Sequence, residues 1–189
     1  MSHLKTAIRA IGRPITMVFC GLDYAGKTAM YIRLKTGRFD ADLKPTLSST
    51  MDTVTFEEQG LAKVTIIDLG GQKSLRNQWN IFIEKSDAIL YVIDTHDSER
   101  YPEVKKELHN RVIPLLDERL CIIVCNKFDL FLTDDITNKS KLIAEIEEKI
   151  KNILEIPQRS NYTVVTTSQK TGLGLPKVTR IIREKLTSN

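Results

Sequence analysis

The residues Gly21-Leu22-Asp23-Tyr24-Ala25-Gly26-Lys27-Thr28 fit the pattern G-x-x-x-x-G-K-[ST] and suit the binding of a polyphosphate. Gly21 and Gly26 let the backbone approach anionic oxygens, and the amides from Tyr24 through Ala25 to Thr28 point inward beside a helix N-terminus. Asp23 and Ala29 complete the stretch expected to touch a nucleotide. Lys27 would bridge β and γ phosphates, and the Thr28 hydroxyl would bind Mg²⁺, which takes hard oxygen ligands.

Three further segments add to this reading. Asp68-Leu69-Gly70-Gly71-Gln72 follows an apolar run and offers Asp68 as an acidic partner of Mg²⁺ acting through water. There Gly71 can donate its amide to a γ-phosphate, and Gln72 can orient the attacking water, which makes Gln72 and Lys27 the candidate catalytic residues. Taken alone, Asp-x-Gly-Gly is a common turn. Asn126-Lys127-Phe128-Asp129 bears on the base: Asp129 can accept hydrogen bonds from N1–H and N2–H₂ of guanine, which argues for GTP over ATP. Asn126 would tie this loop to the phosphate loop, and the stem of Lys127 would lie over the base. Thr167-Ser168-Gln169-Lys170 comes last in the order, with the Gln169 amide aimed at guanine O6 and Ser168 and Lys170 beside it.

Such residues converge only if the chain brings the ends of several strands together. Strand-length apolar runs at Ile15 to Cys20, Val54 to Phe56, Lys63 to Asp68, Ala88 to Asp94, Leu120 to Cys125 and Tyr162 to Thr167 alternate with helical patterns. The helices are expected at Lys27 to Lys35, Arg100 to Leu116, Ile136 to Leu154 and Leu175 to Leu186. This alternation predicts an α/β fold: a doubly wound, mainly parallel six-stranded sheet with helices on both faces. Ligands of such sheets bind at the carboxyl ends of the strands, where the four segments fall.

The 189 residues, 41% hydrophobic, suit one domain, read as residues 14–189 with an N-terminal helix or tail over residues 1–13. Lys and Arg number 28 against 24 Asp and Glu, with no dense basic tract, which excludes a dedicated nucleic-acid binder. Cys20, Cys121 and Cys125 lie in apolar runs without metal-ligand spacing and read as core residues of a reducing compartment. No apolar stretch nears the roughly 18 residues of a membrane span, and no signal peptide is evident, so a cytoplasmic protein is expected. Ser2 stands where myristoylation needs Gly, and Leu186 to Asn189 carries no prenylatable Cys. Leu4, Ile8 and Ile11 share one helical face, with Lys5, Arg9 and Arg13 and no acid before residue 14. That pattern suits an amphipathic helix on an anionic membrane or a short helix packed on its own domain.

With these residues assembled, the chain from about Pro14 resembles the Arf and Sar branch of the Ras-like small GTPases, the P-loop G proteins. The resemblance rests on Gly21 to Thr28, on the double glycine of Asp68 to Gln72, on Leu75-Arg76 and Trp79, and on Asp94 to Arg100. It implies that Lys44-Pro45-Thr46 is a first switch, with Thr46 sensing the γ-phosphate and Mg²⁺, and that Gln72 to about Asn80 is a second. Between them an interswitch hairpin would shift register between the GDP and GTP states. Leu47-Ser48-Ser49 departs from the Arf pattern toward Sar, whereas Gln72 stands where Sar proteins tend to have His. The implied function is a GTP hydrolase acting as a switch in membrane recruitment or vesicle traffic, slow without an activating protein. An exchange factor and an effector are implied as partners, with reversible contact to the cytosolic face of a membrane. The alternatives are a GTP-stabilised binding or scaffold subunit with incidental hydrolysis, and an ATP-dependent kinase that has no use for Asn126 to Asp129. Trp79 and Phe82 read either as effector surface or as partial core, Met17 and Met30 as core, and His3, His96 and His109 carry no assigned chemistry.

Overall fold

The computed structural model describes residues 14–43, 50–56, 62–132, 138–158 and 161–187. The expected N-terminal helix, the first switch with Thr46, His3 and the tip of the interswitch hairpin lie outside these residues.

β1 (Ile15–Cys20) runs into the phosphate-loop motif and then α1 (Lys27–Thr36). β2 (Thr50–Phe56) and β3 (Ala62–Asp68) follow, then α2 (Trp79–Ile83), β4 (Ala88–Asp94) and α3 (Tyr101–Glu107). β5 (Leu120–Asn126), α4 (Lys139–Leu154), β6 (Tyr162–Thr166) and α5 (Leu175–Thr187) complete the order. The sheet is ordered β2-β3-β1-β4-β5-β6. Five of its strands are mutually parallel, and only β2 is antiparallel, paired with β3 from Thr50 opposite Asp68 to Phe56 opposite Ala62.

β2 begins four residues before the apolar run that marks it in the sequence. An edge strand needs backbone pairing, not apolar alternation, and Thr50 to Thr53 pair with Asp68 to Thr65 of β3. The helical pattern over Arg100 to Leu116 is three kinds of helix in succession. α3 opens after a 3₁₀ turn at Ser98–Arg100, widens to a π turn at Leu108–Val112 and tightens to 3₁₀ at Ile113–Leu115. Pro114 has no N–H to give and crowds the carbonyl four residues back, so regular α geometry cannot pass through it. α2, too short for a periodic signature, was not expected.

Alternate residues of the central strands feed two cores. Met17 and Phe19 pack with Met30, Leu90 and Ile122 on the face covered by α1 and α5. Val18 and Cys20 pack with Trp79, Tyr91, Ile123 and Phe128 on the face of α2, α3 and α4. Strands buried on both faces read as continuous apolar runs, as the first six residues of β5, Leu120 to Cys125, do before Asn126 ends it. The three cysteines are free and buried, and burial pushes the Cys20, Cys121 and Cys125 thiols up, so they serve as core. No helix among the described residues is long and apolar enough to cross a membrane.

Candidate functional site

The turn between β1 and α1 depends on backbone that only small residues tolerate. Gly26 caps α1 with a left-handed φ of 91°, and a Cβ there would run into Asn126 Nδ2. Tyr24 also holds a positive φ, 61°, with its ring 66% exposed at the rim. Lys27 is 5% exposed, and its Nζ donates to Gly21 O at 3.0 Å and Leu22 O at 2.7 Å. Burial lowers its ammonium to about 8, against the opposing pull of the Asp68 carboxylate.

β3 lies parallel to β1 with Asp68 opposite Phe19, and Leu69 N donates to Phe19 O at 3.0 Å. This register delivers Asp68 beside α1, where it accepts a hydrogen bond from Thr28 Oγ1 at 2.5 Å. The next turn presses on the phosphate loop so closely that a Cβ on Gly71 would overlap Asp23 N and approach Lys27 Nζ at 2.6 Å. Gln72 joins Gly71 in the cavity wall.

Two arginines brace this junction. Arg76, 3% exposed, donates from Nε to Gly71 O at 2.7 Å and from Nη1 to Glu103 at 2.7 Å and Glu107 at 3.3 Å. Arg100 donates to the Asp23 carboxylate at 3.1 Å and to Asp97 at 2.5 Å. Trp79 is fully buried, with Nε1 donating to Gly70 O at 3.1 Å, and Phe82 is partly buried against the same core. Of the two readings of these aromatics, core packing describes Trp79; Ile81, 57% exposed, is the apolar side chain this helix turns outward.

β5 and β6 supply the opposite wall. Asn126 ends β5 and donates from Nδ2 to Ala25 O at 2.9 Å, bridging the base loop and the phosphate loop. Lys127 has a left-handed φ of 66° and pairs with Asp94 at 2.7 Å. Asp129 accepts from Ser168 Oγ at 2.5 Å, and Gln169 donates from Nε2 to Asn126 Oδ1 at 3.2 Å. His96 instead lies against Phe131 and His109 bonds Leu154 O, both away from this wall.

The elements enclose a cavity of about 340 Å³. Asp23, Tyr24, Gly26, Lys27, Thr28 and Ala29 line one side and Asn126, Lys127, Asp129, Gln169 and Lys170 the other, with Gly71 and Gln72 between. Gly21, Ala25, Asp68 and Ser168 stand behind them, joined through the bonds above. Phe39, Asp40, Ala41, Leu43 and Leu130 also line the cavity and belong to no motif. Leu130 had one signal, its place directly after Asp129; the segment from Phe39 to Leu43 had none.

Comparison with known proteins identifies the family. The model of the ADP-ribosylation factor family matches residues 1–186. ADP-ribosylation factor-like protein 2 of Arabidopsis thaliana is 28% identical over 167 residues, 86% of this chain and 82% of that protein. The small COPII coat GTPase SAR1 of Encephalitozoon cuniculi is 33% identical over 119 residues, 63% of this chain and 52% of that protein. In fold, the chain is similar to the Arl6 (BBS3) small GTPase of Trypanosoma brucei, solved with the nucleotide analogue GppNp. The TM-score is 0.67 at 20% identity, over 93% of this chain and 98% of that one. A family match over nearly the whole length, on a fold that gathers these loops at its strand ends, makes this chain a member of the ADP-ribosylation factor family of GTP-hydrolysing small GTPases.

Proposed function

We propose that the cavity holds GTP or GDP with Mg²⁺ and that its own residues divide the work of a slow, switch-like hydrolysis. The observation that carries this reading is the convergence of four separate segments, joined by the Thr28–Asp68 and Asn126–Ala25 bonds. The Thr28 hydroxyl and Asp68 carboxylate are hard oxygen donors 2.5 Å apart, a fitting pair for Mg²⁺, with Asp68 acting through water and Thr46 joining them in the GTP state. When bound, the ion neutralises phosphate charge.

The Lys27 ammonium would leave the two loop carbonyls for the β and γ phosphates. The Gly71 amide would meet the γ-phosphate, and Gln72 would hold the attacking water. Asp129 keeps Oδ2 for guanine while Ser168 occupies Oδ1. The Gln169 amide, Lys127 and Lys170 complete the base pocket. Family membership brings regulators and effectors in general; an exchange factor, an activating protein and an effector at the two switches are the specific partners we propose. The likeness to a COPII coat GTPase and the amphipathic pattern of residues 1–13 support a role in membrane recruitment or vesicle traffic, with reversible contact of the cytosolic face.

Single-turnover hydrolysis of GTP by the full chain with Mg²⁺ tests the reading. We expect a rate on the order of 10⁻⁴ s⁻¹, at least about tenfold lower for Gln72→Leu, and GDP release accelerated by EDTA. Equal turnover of ATP, or an unchanged rate in Gln72→Leu, would refute it.

A further inference from the structure

We propose that the Gln169 side chain is a positioning residue for guanine recognition, acting through Asn126 to lock the base loop onto the phosphate loop. The inference rests on the nucleotide reading above and adds to the Gln169 backbone amide a separate task for its carboxamide.

A line of hydrogen bonds joins Gln169 to the phosphate loop through Asn126. Asn126 Nδ2 donates to Ala25 O at 2.9 Å, which fixes which end of the Asn126 amide faces the phosphate loop. Its Oδ1 therefore turns the other way and can only accept. Gln169 Nε2 donates to that oxygen at 3.2 Å and to Thr167 Oγ1 at the same distance. The Thr167 hydroxyl adds a second donor to Asn126 Oδ1 at 3.3 Å. Gln169 is 3% exposed and Asn126 2%, so these bonds form away from water, where a lost donor is felt most.

The orientation of the Gln169 amide follows from its neighbour: with Nε2 committed to Asn126, Oε1 remains, buried and without a hydrogen-bond partner. One end of the carboxamide thus holds Asn126 in place. A carboxylate at this position would keep the shape and reverse that role, setting two acceptors against Asn126 Oδ1.

That reversal supplies the test. Release of radiolabelled GDP from the full chain is measured from pH 5.5 to 8.5 for the native protein, Gln169→Glu and Gln169→Met. Charged groups lining the same cavity are Asp23, Lys27, Asp40, Lys127, Asp129 and Lys170, and behind β6 Glu147 of α4 pairs with Lys177 of α5. Lys27 and the other cavity charges are the same in every variant, so the readout is the ratio of Gln169→Glu to Gln169→Met at each pH. We expect both variants to release GDP faster than native at pH 8, Gln169→Met by about three- to tenfold and Gln169→Glu by more. The Gln169→Glu excess should shrink toward pH 5.5, as the carboxyl gains a proton to donate to Asn126. Release at the native rate in both variants, or a pH-independent ratio between them, overturns the proposal. A native chain that binds ADP as well as GDP fails earlier: it overturns the guanine reading and this inference with it.

Discussion

Lys27 carries the clearest pH signature of any single residue in the molecule. Its ammonium is buried and sits at about 8 rather than 10.5, because desolvation outweighs the attraction of Asp68. A lysine whose folded value lies below its unfolded value destabilises the nucleotide-free protein while protonated. Between about pH 8 and 9 the unfolded chain binds more protons at this site, so the folded state gains stability as pH rises, at no more than about 1.4 kcal/mol per pH unit. Nucleotide affinity moves the opposite way, since phosphates need the ammonium, and should fall by up to about tenfold per pH unit above 8. Urea unfolding and GDP affinity at pH 7.5, 8.2 and 9.0, each compared with Lys27→Met, check both signs. The Cys20, Cys121 and Cys125 thiols and the Tyr91 hydroxyl, whose folded values are raised by burial, pull stability down from about pH 9 upward, and subtraction of the Lys27→Met profile removes that contribution. At this scale Lys27, Thr28, Asp68 and Asp129 could be picked out because each stands in a short motif, although the structure pairs Thr28 with Asp68 and Asp129 with Ser168 across long stretches of chain. Gln169 was read only through its backbone, because the partner of its side chain lies 43 residues away.

The segment from Gly70 to Ile83 shows how one element couples to the rest. Arg76 reaches from a 3₁₀ turn to Gly71 O and to two carboxylates on α3, while Trp79 anchors the same segment through Gly70 O. Arg76→Met should therefore lower unfolding free energy by about 2–3 kcal/mol, the value of hydrogen bonds made by a buried charged group. Glu107 keeps Arg111 at 2.6 Å, so the loss stays below that of a fully orphaned buried charge. Lys141→Met, which removes an exposed pair with Glu145 on α4, should cost less than about 0.5 kcal/mol in the same urea titration. A loss for Arg76→Met no larger than for Lys141→Met would show that the junction is not braced through this side chain. Trp79 is the single tryptophan, so its fluorescence should also shift when GDP is exchanged for a GTP analogue and the shift should shrink in Arg76→Met. The core reading of Trp79 was open in the sequence, but the Arg76 bonds were not legible there, since Arg76 and Glu103 stand 27 residues apart without a pattern linking them. The regular strands were legible because burial on both faces writes itself as unbroken apolar runs. The π turn ahead of Pro114 and the polar start of β2 were not, since one depends on a backbone accommodation and the other on pairing with β3.

For the molecule as a whole, the described body offers little to a membrane. The large hydrophobic side chains exposed among the described residues are Tyr24, Phe39, Ile81 and Leu130, and all but Ile81 line the nucleotide cavity. Net charge is only +4 over 189 residues, too mild to hold the body on an anionic surface. In the proposed role attachment would come from residues 1–13, where Leu4, Ile8 and Ile11 would enter the interface while Lys5, Arg9 and Arg13 meet anionic headgroups. Each such cation contributes about 1 kcal/mol near an anionic leaflet, and a small apolar face adds to it, which suits reversible binding. The switch reading requires that this segment be available in one nucleotide state and withheld in the other. Co-sedimentation with vesicles containing phosphatidylserine, using the full chain and a form lacking residues 1–13, separates the possibilities. The full chain should pellet with a non-hydrolysable GTP analogue and remain in the supernatant with GDP; the shortened form should not pellet with either, and 0.5 M salt should weaken what pellets. Equal pelleting with both nucleotides would make the segment a constant anchor, uncoupled from the cavity. Failure to pellet in every state, with nucleotide bound, would remove the membrane from the proposed role and leave a GTP-dependent switch acting on protein partners alone.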